Sequence, residues 1–203
     1  VHIDVMDNMC LYVLEFGNNT KNEIIYNLKD NSKVIINKIS YNTSDNININ
    51  LNGKDANIIY NSSIINDVNN NYYERINHNA SNTISSISNH AINMKDADFV
   101  FDIDAKVLND SNDCNTRQDN RIINLGSGKN EIKPNLLVDN NLITATHSAY
   151  IGNFNKDIIF YLQTRGIMLD EIKELLMLGF LLEKMELTND EKDKVNAFIK
   201  NYI

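Results

Sequence analysis

Short runs rich in β-branched and aromatic residues recur along residues 1–153, and polar clusters separate them with no helical pattern in between. The runs are Leu11–Leu14, Glu23–Tyr26, Val34–Ile36, Ile47–Leu51, Asn57–Tyr60, Phe99–Phe101, Arg121–Leu125 and Leu136–Val138. Segments this short, bounded by Asn, Asp, Ser and Gly, read as strands between turns. Ile47 to Leu51 alternates strictly, apolar on one face and Asn on the other, as a strand with one buried face must. Strands recurring every ten residues or so suit a sandwich, a barrel or a coil of stacked rungs. Three observations favour the coil. No helical crossover interrupts the region, the hairpin dipeptide Asn-Gly occurs once (Asn52-Gly53), and asparagine, the commonest residue of the chain, suits the corners of stacked rungs. There one amide side chain can bond the equivalent residue of the next rung. A preference for AT-rich codons accounts for the asparagine equally well, and the two explanations are compatible. The repeats keep no fixed period.

The pattern changes near residue 153. Lys156 to Thr164 places Ile158, Ile159 and Leu162 on one side, and Asp170 to Met185 carries a broad apolar stripe of Ile172, Leu175, Leu176, Phe180 and Leu182. Spacings of three and four residues predict helices. Thr188-Asn189-Asp190-Glu191 is a capping box, opening a last helix with Val195, Phe198, Ile199 and Tyr202 on its apolar side. The expected organisation is therefore a β-region over 1–153 and a helical subdomain over 154–203. A helical tail buries only some of its apolar surface on its own domain, and the remainder is available to a partner; docking within the chain is the plain alternative.

Composition narrows the function classes. A formal net charge of −8 argues against general binding to a phosphate backbone. No apolar stretch is long enough to cross a membrane as a helix. The start, Val1-His2-Ile3-Asp4-Val5, lacks the features of a secretion signal, and two cysteines, Cys10 and Cys114, make no disulfide framework in 203 residues. A reducing, cytoplasmic location is the expectation. Catalytic motifs are missing from the pattern. Gly126-Ser127-Gly128-Lys129 lacks the spacing of a phosphate loop and reads as a surface turn. There is no Cys-x-x-Cys pair, and His2, His78, His90 and His147 are scattered. Read from its residues, the chain is an acidic β-rich domain with a helical tail and no catalytic constellation.

One segment is more specific. Lys133-Pro134-Asn135-Leu136, then Thr146-His147-Ser148-Ala149-Tyr150-Ile151-Gly152, then Phe160-Tyr161-Leu162-Gln163-Thr164-Arg165-Gly166-Ile167 and Gly179-Phe180 resemble the C-terminal signature of the SufB/SufD family. Upstream, His78-Asn79-Ala80-Ser81-Asn82-Thr83 and Gln118-Asp119-Asn120-Arg121-Ile122-Ile123 are similar to two weaker motifs of that family. The resemblance implies a mainly β fold, a right-handed parallel β-helix followed by a C-terminal helical subdomain. It implies a scaffold subunit in SUF-type iron–sulfur cluster assembly, not an enzyme. Its helical part docks a SufC-type ABC ATPase, and its β-helix pairs with a second copy or a SufB/SufD paralogue. Tyr161, Arg165, Leu175, Leu176 and Phe180 are the candidate ATPase contacts. His147 matches a histidine that the family places near the pairing interface as a ligand to iron or to a transient iron–sulfur cluster, ligated in part by the partner subunit; Cys114 is a second, weaker candidate. Two departures count against a ligand role. Ala145 stands where many SufD proteins have cysteine, and Ser148 where SufB-type sequences have glutamate, whereas clusters normally take thiolates. His147 as an interface or hydrogen-bonding histidine therefore stays open. So does a cluster-free paralogue that only stabilises or regulates a complex and, more remotely, a β-helical enzyme acting on carbohydrate or transferring acyl groups.

Overall fold

A computed structural model describes residues 1–203. Twelve strands follow one another without interruption: β1 (His2–Val5), β2 (Cys10–Asn18), β3 (Lys21–Leu28), β4 (Lys33–Tyr41), β5 (Ser44–Leu51), β6 (Asn57–Asn66), β7 (Asn70–His78), β8 (Ile84–Asn93), β9 (Phe99–Val107), β10 (Asn115–Asn124), β11 (Asn130–Val138) and β12 (Thr144–Gly152). Successive strands lie in opposite sheets. One sheet (sheet A) runs β1-β3-β5-β7-β9-β11 and the other (sheet B) β12-β10-β8-β6-β4-β2, every pairing parallel. The chain is a parallel β-solenoid of about six turns.

The turn length drifts, which is why no fixed repeat is visible. Asn27 bonds Asp4 across 23 residues, Asn77 bonds Asn50 across 27, and Asn89 bonds Asn120 across 31. The added residues are taken up in the corners while the strands stay in register. Asparagine does two jobs there. Asn8, Asn19, Asn31, Asn42 and Asn82 turn corners at positive φ, between 49 and 61°, where Asn is tolerated better than most residues with a Cβ. Elsewhere the side chains stack into ladders: Asn77 Nδ2 donates to Asn50 (2.9 Å), Asn50 to Asn27 (2.9 Å) and Asn27 to Asp4 (2.8 Å). Asn52-Gly53 is no hairpin: it joins β5 in one sheet to β6 in the other. A Cβ at Gly53 would lie 2.0 Å from the Asp30 amide of the corner stacked against it, so the close approach demands glycine.

Alternation places Val34, Ile36, Ile47, Ile49, Leu51, Ile58, Ile76, Phe99, Phe101 and Ile103 between the sheets, where they form the main apolar core. A second core lies outside sheet B. There Ile39, Ile65, Ile92 and Ile123 receive Met177, Leu181, Met185, Val195 and Ile199. These come from α2 (Leu169–Leu182), the segment just after it, and α3 (Asn189–Lys200). Helix α1 (Lys156–Thr164) packs against α2 and has no fully buried residue. It ends at Gly166, which sits at φ 86°, a left-handed cap. Thr188 and Glu191 form the capping box that opens α3. The helical tail is thus in good part docked within the chain. No helix is long and apolar enough to cross a membrane.

Candidate functional site at the open end of the coil

β11 and β12 are the last strands of their sheets, so the solenoid ends there with an unpaired edge on each. Side chains that would face a further rung are left uncovered. In β12, Ala145, His147, Ala149 and Ile151 stand in register beside Thr116, Gln118, Asn120 and Ile122, all buried inside the coil. By the period of two they point to the same interior side. With no rung beyond them, His147 and Ala149 are exposed and Ile151 is 45% exposed. Across the mouth, Ile132, Pro134, Leu136 and Val138 of β11 are half-buried. His147 therefore stands in the open mouth, where a second molecule can reach it.

The two cysteines lie elsewhere. Cys10 opens β2, in the sheet B strand furthest from β12, and is exposed. Cys114 is buried, its sulfur within hydrogen-bond reach of the Ala80, Ser111 and Asn112 carbonyls and of Thr83 Oγ1. The thiol is enclosed by backbone and hydroxyl groups of its own corner, away from the open mouth. No group of three His, Cys, Asp or Glu side chains gathers where a metal ion would need them. From this chain the mouth offers a single imidazole.

Polar residues also fill part of the interior, which the sequence did not reveal. Glu15, Lys38, Ser62, Asn89 and Asn120 occupy one register column of sheet B, facing Asp45 and Glu74 of sheet A. Lys38, with no exposed side-chain surface, bridges Glu15 and Asp45 at 2.6 Å each. Burial pushes the Glu74 carboxyl up to about 8, despite the Asn89 amide donating to it at 2.8 Å. Burial likewise carries the imidazole of His78 down to about 4; Thr83 and Ser85 flank its nitrogens at 2.7 and 2.9 Å. Of the two upstream motifs, His78, Thr83, Gln118 and Asn120 are thus buried interior polar positions. Of the polar strand faces, the outer side of sheet A carries Asp102 and Asp104, both paired with Arg75 (3.2 and 3.0 Å).

On the helices, Tyr161 and Leu175 are exposed (54 and 56%), with Phe160 and Ile158 beside Tyr161 in sequence. Arg165 lies over the Tyr161 ring, 5.2 Å from its centroid, a cation–π contact that holds both at the surface. Leu176 is half-buried. Phe180 turns toward the coil, its ring stacked on His90 at 4.7 Å, so most of its face is spent within the chain.

The family model described as "SUF system FeS cluster assembly, SufBD core domain" matches residues 19–180. The iron-sulfur cluster assembly protein SufD of Bacillus subtilis (strain 168) is 29% identical over 96 residues, which are 47% of this chain. The aligned stretch spans only 22% of that protein's length.

Proposed function

The chain belongs to the SufB/SufD family of the SUF system for iron–sulfur cluster assembly, and from that premise we propose that it is a cytosolic scaffold subunit that pairs through the open end of its coil and docks a SufC-type ATPase through its helices. The chain itself is not an enzyme in this reading; ATP hydrolysis belongs to the partner. The observation that carries the proposal is the uncovered last rung, with His147 in its mouth, on a coil matched to the SufBD core over residues 19–180. An unpaired parallel edge beside exposed interior side chains is a ready surface for another coil. The iron–sulfur cluster is the cargo. Imidazole is a borderline ligand suited to iron, and the remaining ligands, thiolates above all, would come from the paired subunit. Tyr161, Arg165 and Leu175 form the surface offered to the ATPase, with Leu176 at its margin, while Phe180 fixes the helix that presents it.

Two experiments test this. In co-expression with the ATPase of the same system, the wild-type chain is expected to co-purify with it. Leu175→Asp, at an exposed position, should abolish co-purification while leaving the circular dichroism spectrum unchanged; failure of the folded wild type to bind would remove the proposal. A second reading, a cluster-free member that only stabilises the complex, is favoured by Ala145 in place of a thiolate. Anaerobic reconstitution of the complex with iron and sulfide separates the two: identical spectra for the wild type and His147→Ala would exclude His147 as a ligand.

A further inference from the structure

Helix α2 and strand β12 scarcely touch. A groove of about 390 Å3, lined by Phe180 on one side and Ala149 and Tyr150 on the other, lies between them. What spans the gap is polar, and it converges on one carboxylate of the intervening strand β10. Ser148 Oγ of β12 donates to Asp119 Oδ1 at 2.7 Å, and Arg121 Nε donates to the same oxygen at 3.1 Å. Arg121 Nη1 reaches Glu183 Oε2, at the C-cap of α2, at 3.1 Å. Lys184, the next residue, lies 3.9 Å from Asp119 Oδ2 and 3.1 Å from Glu183 Oε1. The Asp119 side chain is only 8% exposed. Burial alone would raise its carboxyl, but the Ser148 hydroxyl and the Arg121 guanidinium hold it below the ordinary range. A buried carboxylate served from two elements on opposite sides transmits the displacement of either, because leaving it unpaired is costly.

The same end of α2 is gripped from the neighbouring strands. Ser63 of β6 donates to the Leu181 carbonyl, and His90 of β8 donates through Nδ1 to the Phe180 carbonyl at 2.8 Å. Helix C-terminal carbonyls have no partners in their own helix, and here the outer face of sheet B supplies them. The last turn of α2 is therefore tied to β6 and β8 directly, and to β12 only by way of Asp119.

We propose that Asp119 is a relay coupling the position of α2 to that of the last strand, so that a displacement of the helices reaches the open end of the coil, next to His147. From the function proposed above this takes only the reason why such coupling would matter. The chain alone suffices for the test, so a failure of the relay and a failure of ATPase binding are read in separate experiments.

The experiment is hydrogen exchange measured by mass spectrometry on the wild type, Asp119→Asn, Glu183→Ala, Ser148→Ala and the Glu183→Ala/Ser148→Ala double variant. Glu183 does not touch β12, yet its loss is expected to raise exchange across residues 144–152 by about three-fold or more. Ser148→Ala should raise exchange in residues 178–184 in the same way, and the double variant should add little to either segment. Asp119→Asn should raise both together and leave β3–β5 unchanged. Effects of Glu183→Ala confined to the helix, effects that multiply in the double variant, or a uniform rise across the whole chain in Asp119→Asn would each overturn the relay. Because Glu183 and Ser148 are exposed, their variants keep the test decisive even if Asp119→Asn fails to fold.

Discussion

Buried ionisable side chains give this coil a stability that depends on pH in opposite directions at two residues. The Glu74 carboxyl, raised to about 8 by burial, keeps its proton in the folded chain at a pH where the unfolded chain has released it. The native state then binds more protons, so the contribution of Glu74 to stability falls as pH rises from about 4.5 to about 8. His78 works the other way. Its folded value of about 4 lies below the ordinary imidazole value, so the unfolded chain binds the extra proton and stability falls as pH drops from about 6.5 toward 4. Glu74→Gln retains an acceptor for Asn89 Nδ2 and has no charge to bury. The expected outcome is a variant more stable than the wild type by about 1–3 kcal/mol at pH 8 and little changed at pH 5. Urea midpoints measured across that range check it, and an equal effect at both values would contradict the assignment of Glu74 as a buried acid. None of this could be read from Tyr72-Tyr73-Glu74-Arg75, because the carboxylate faces inward on a strand that has too few apolar residues to announce itself.

At the scale of the element, the asparagine ladder separates residues that the sequence makes look alike. Asn46 and Asn50 both point outward from β5, but only Asn50 donates to Asn27 and accepts from Asn77, each at 2.9 Å. Asn50→Ala is expected to cost about 1 kcal/mol, two partly solvated hydrogen bonds, whereas Asn46→Ala should stay within about 0.5 kcal/mol. Thermal or urea denaturation of both variants tests this, and equal losses would mean that the ladder contributes nothing. The residues on the inner faces of the strands explain which of them the sequence disclosed. β2, β3, β4, β5, β6, β9, β10 and β11 each contain a run of continuous or alternating apolar residues and were legible, as were all three helices and the Thr188 cap. β1, β7, β8 and β12 were not. In β7 and β8 the inward positions hold Glu74, His78, Ser85, Asn89 and Asn93, so period-two hydrophobicity is broken by buried polar groups that only tertiary bonding satisfies. β12 was legible as a family motif and not as a strand, because it has no rung above it to bury its inner face.

The whole molecule is a stack whose rungs contact only their neighbours, so its two ends differ from its middle in what they leave unsatisfied. Motif resemblance picked out His147, but only the register that sets it beside Gln118 puts it in the mouth of the coil. The sequence could not supply that placement, since it depends on where the last rung falls. The pairing proposed above makes a demand on the neighbours of His147 as well. Ala149 stands beside buried Asn120, on the inner column of the last rung, and is itself exposed. A small side chain there lets a second coil approach closely; a long charged one would have to be desolvated at the seam. Ala149→Arg is therefore expected to leave the melting temperature of the isolated chain nearly unchanged, since an exposed site away from a cap or core seldom shifts stability by more than about 0.5 kcal/mol. The same variant should weaken pairing at least about ten-fold, whether with a second copy or with a co-expressed paralogue, because a buried unpaired charge costs more than about 1.4 kcal/mol. Sedimentation velocity over a concentration series, with the chain alone and with the paralogue, measures that ratio. If association is as tight for Ala149→Arg as for the wild type in both settings, the coil pairs through some other face, and His147 loses its reason to be near a partner's ligands.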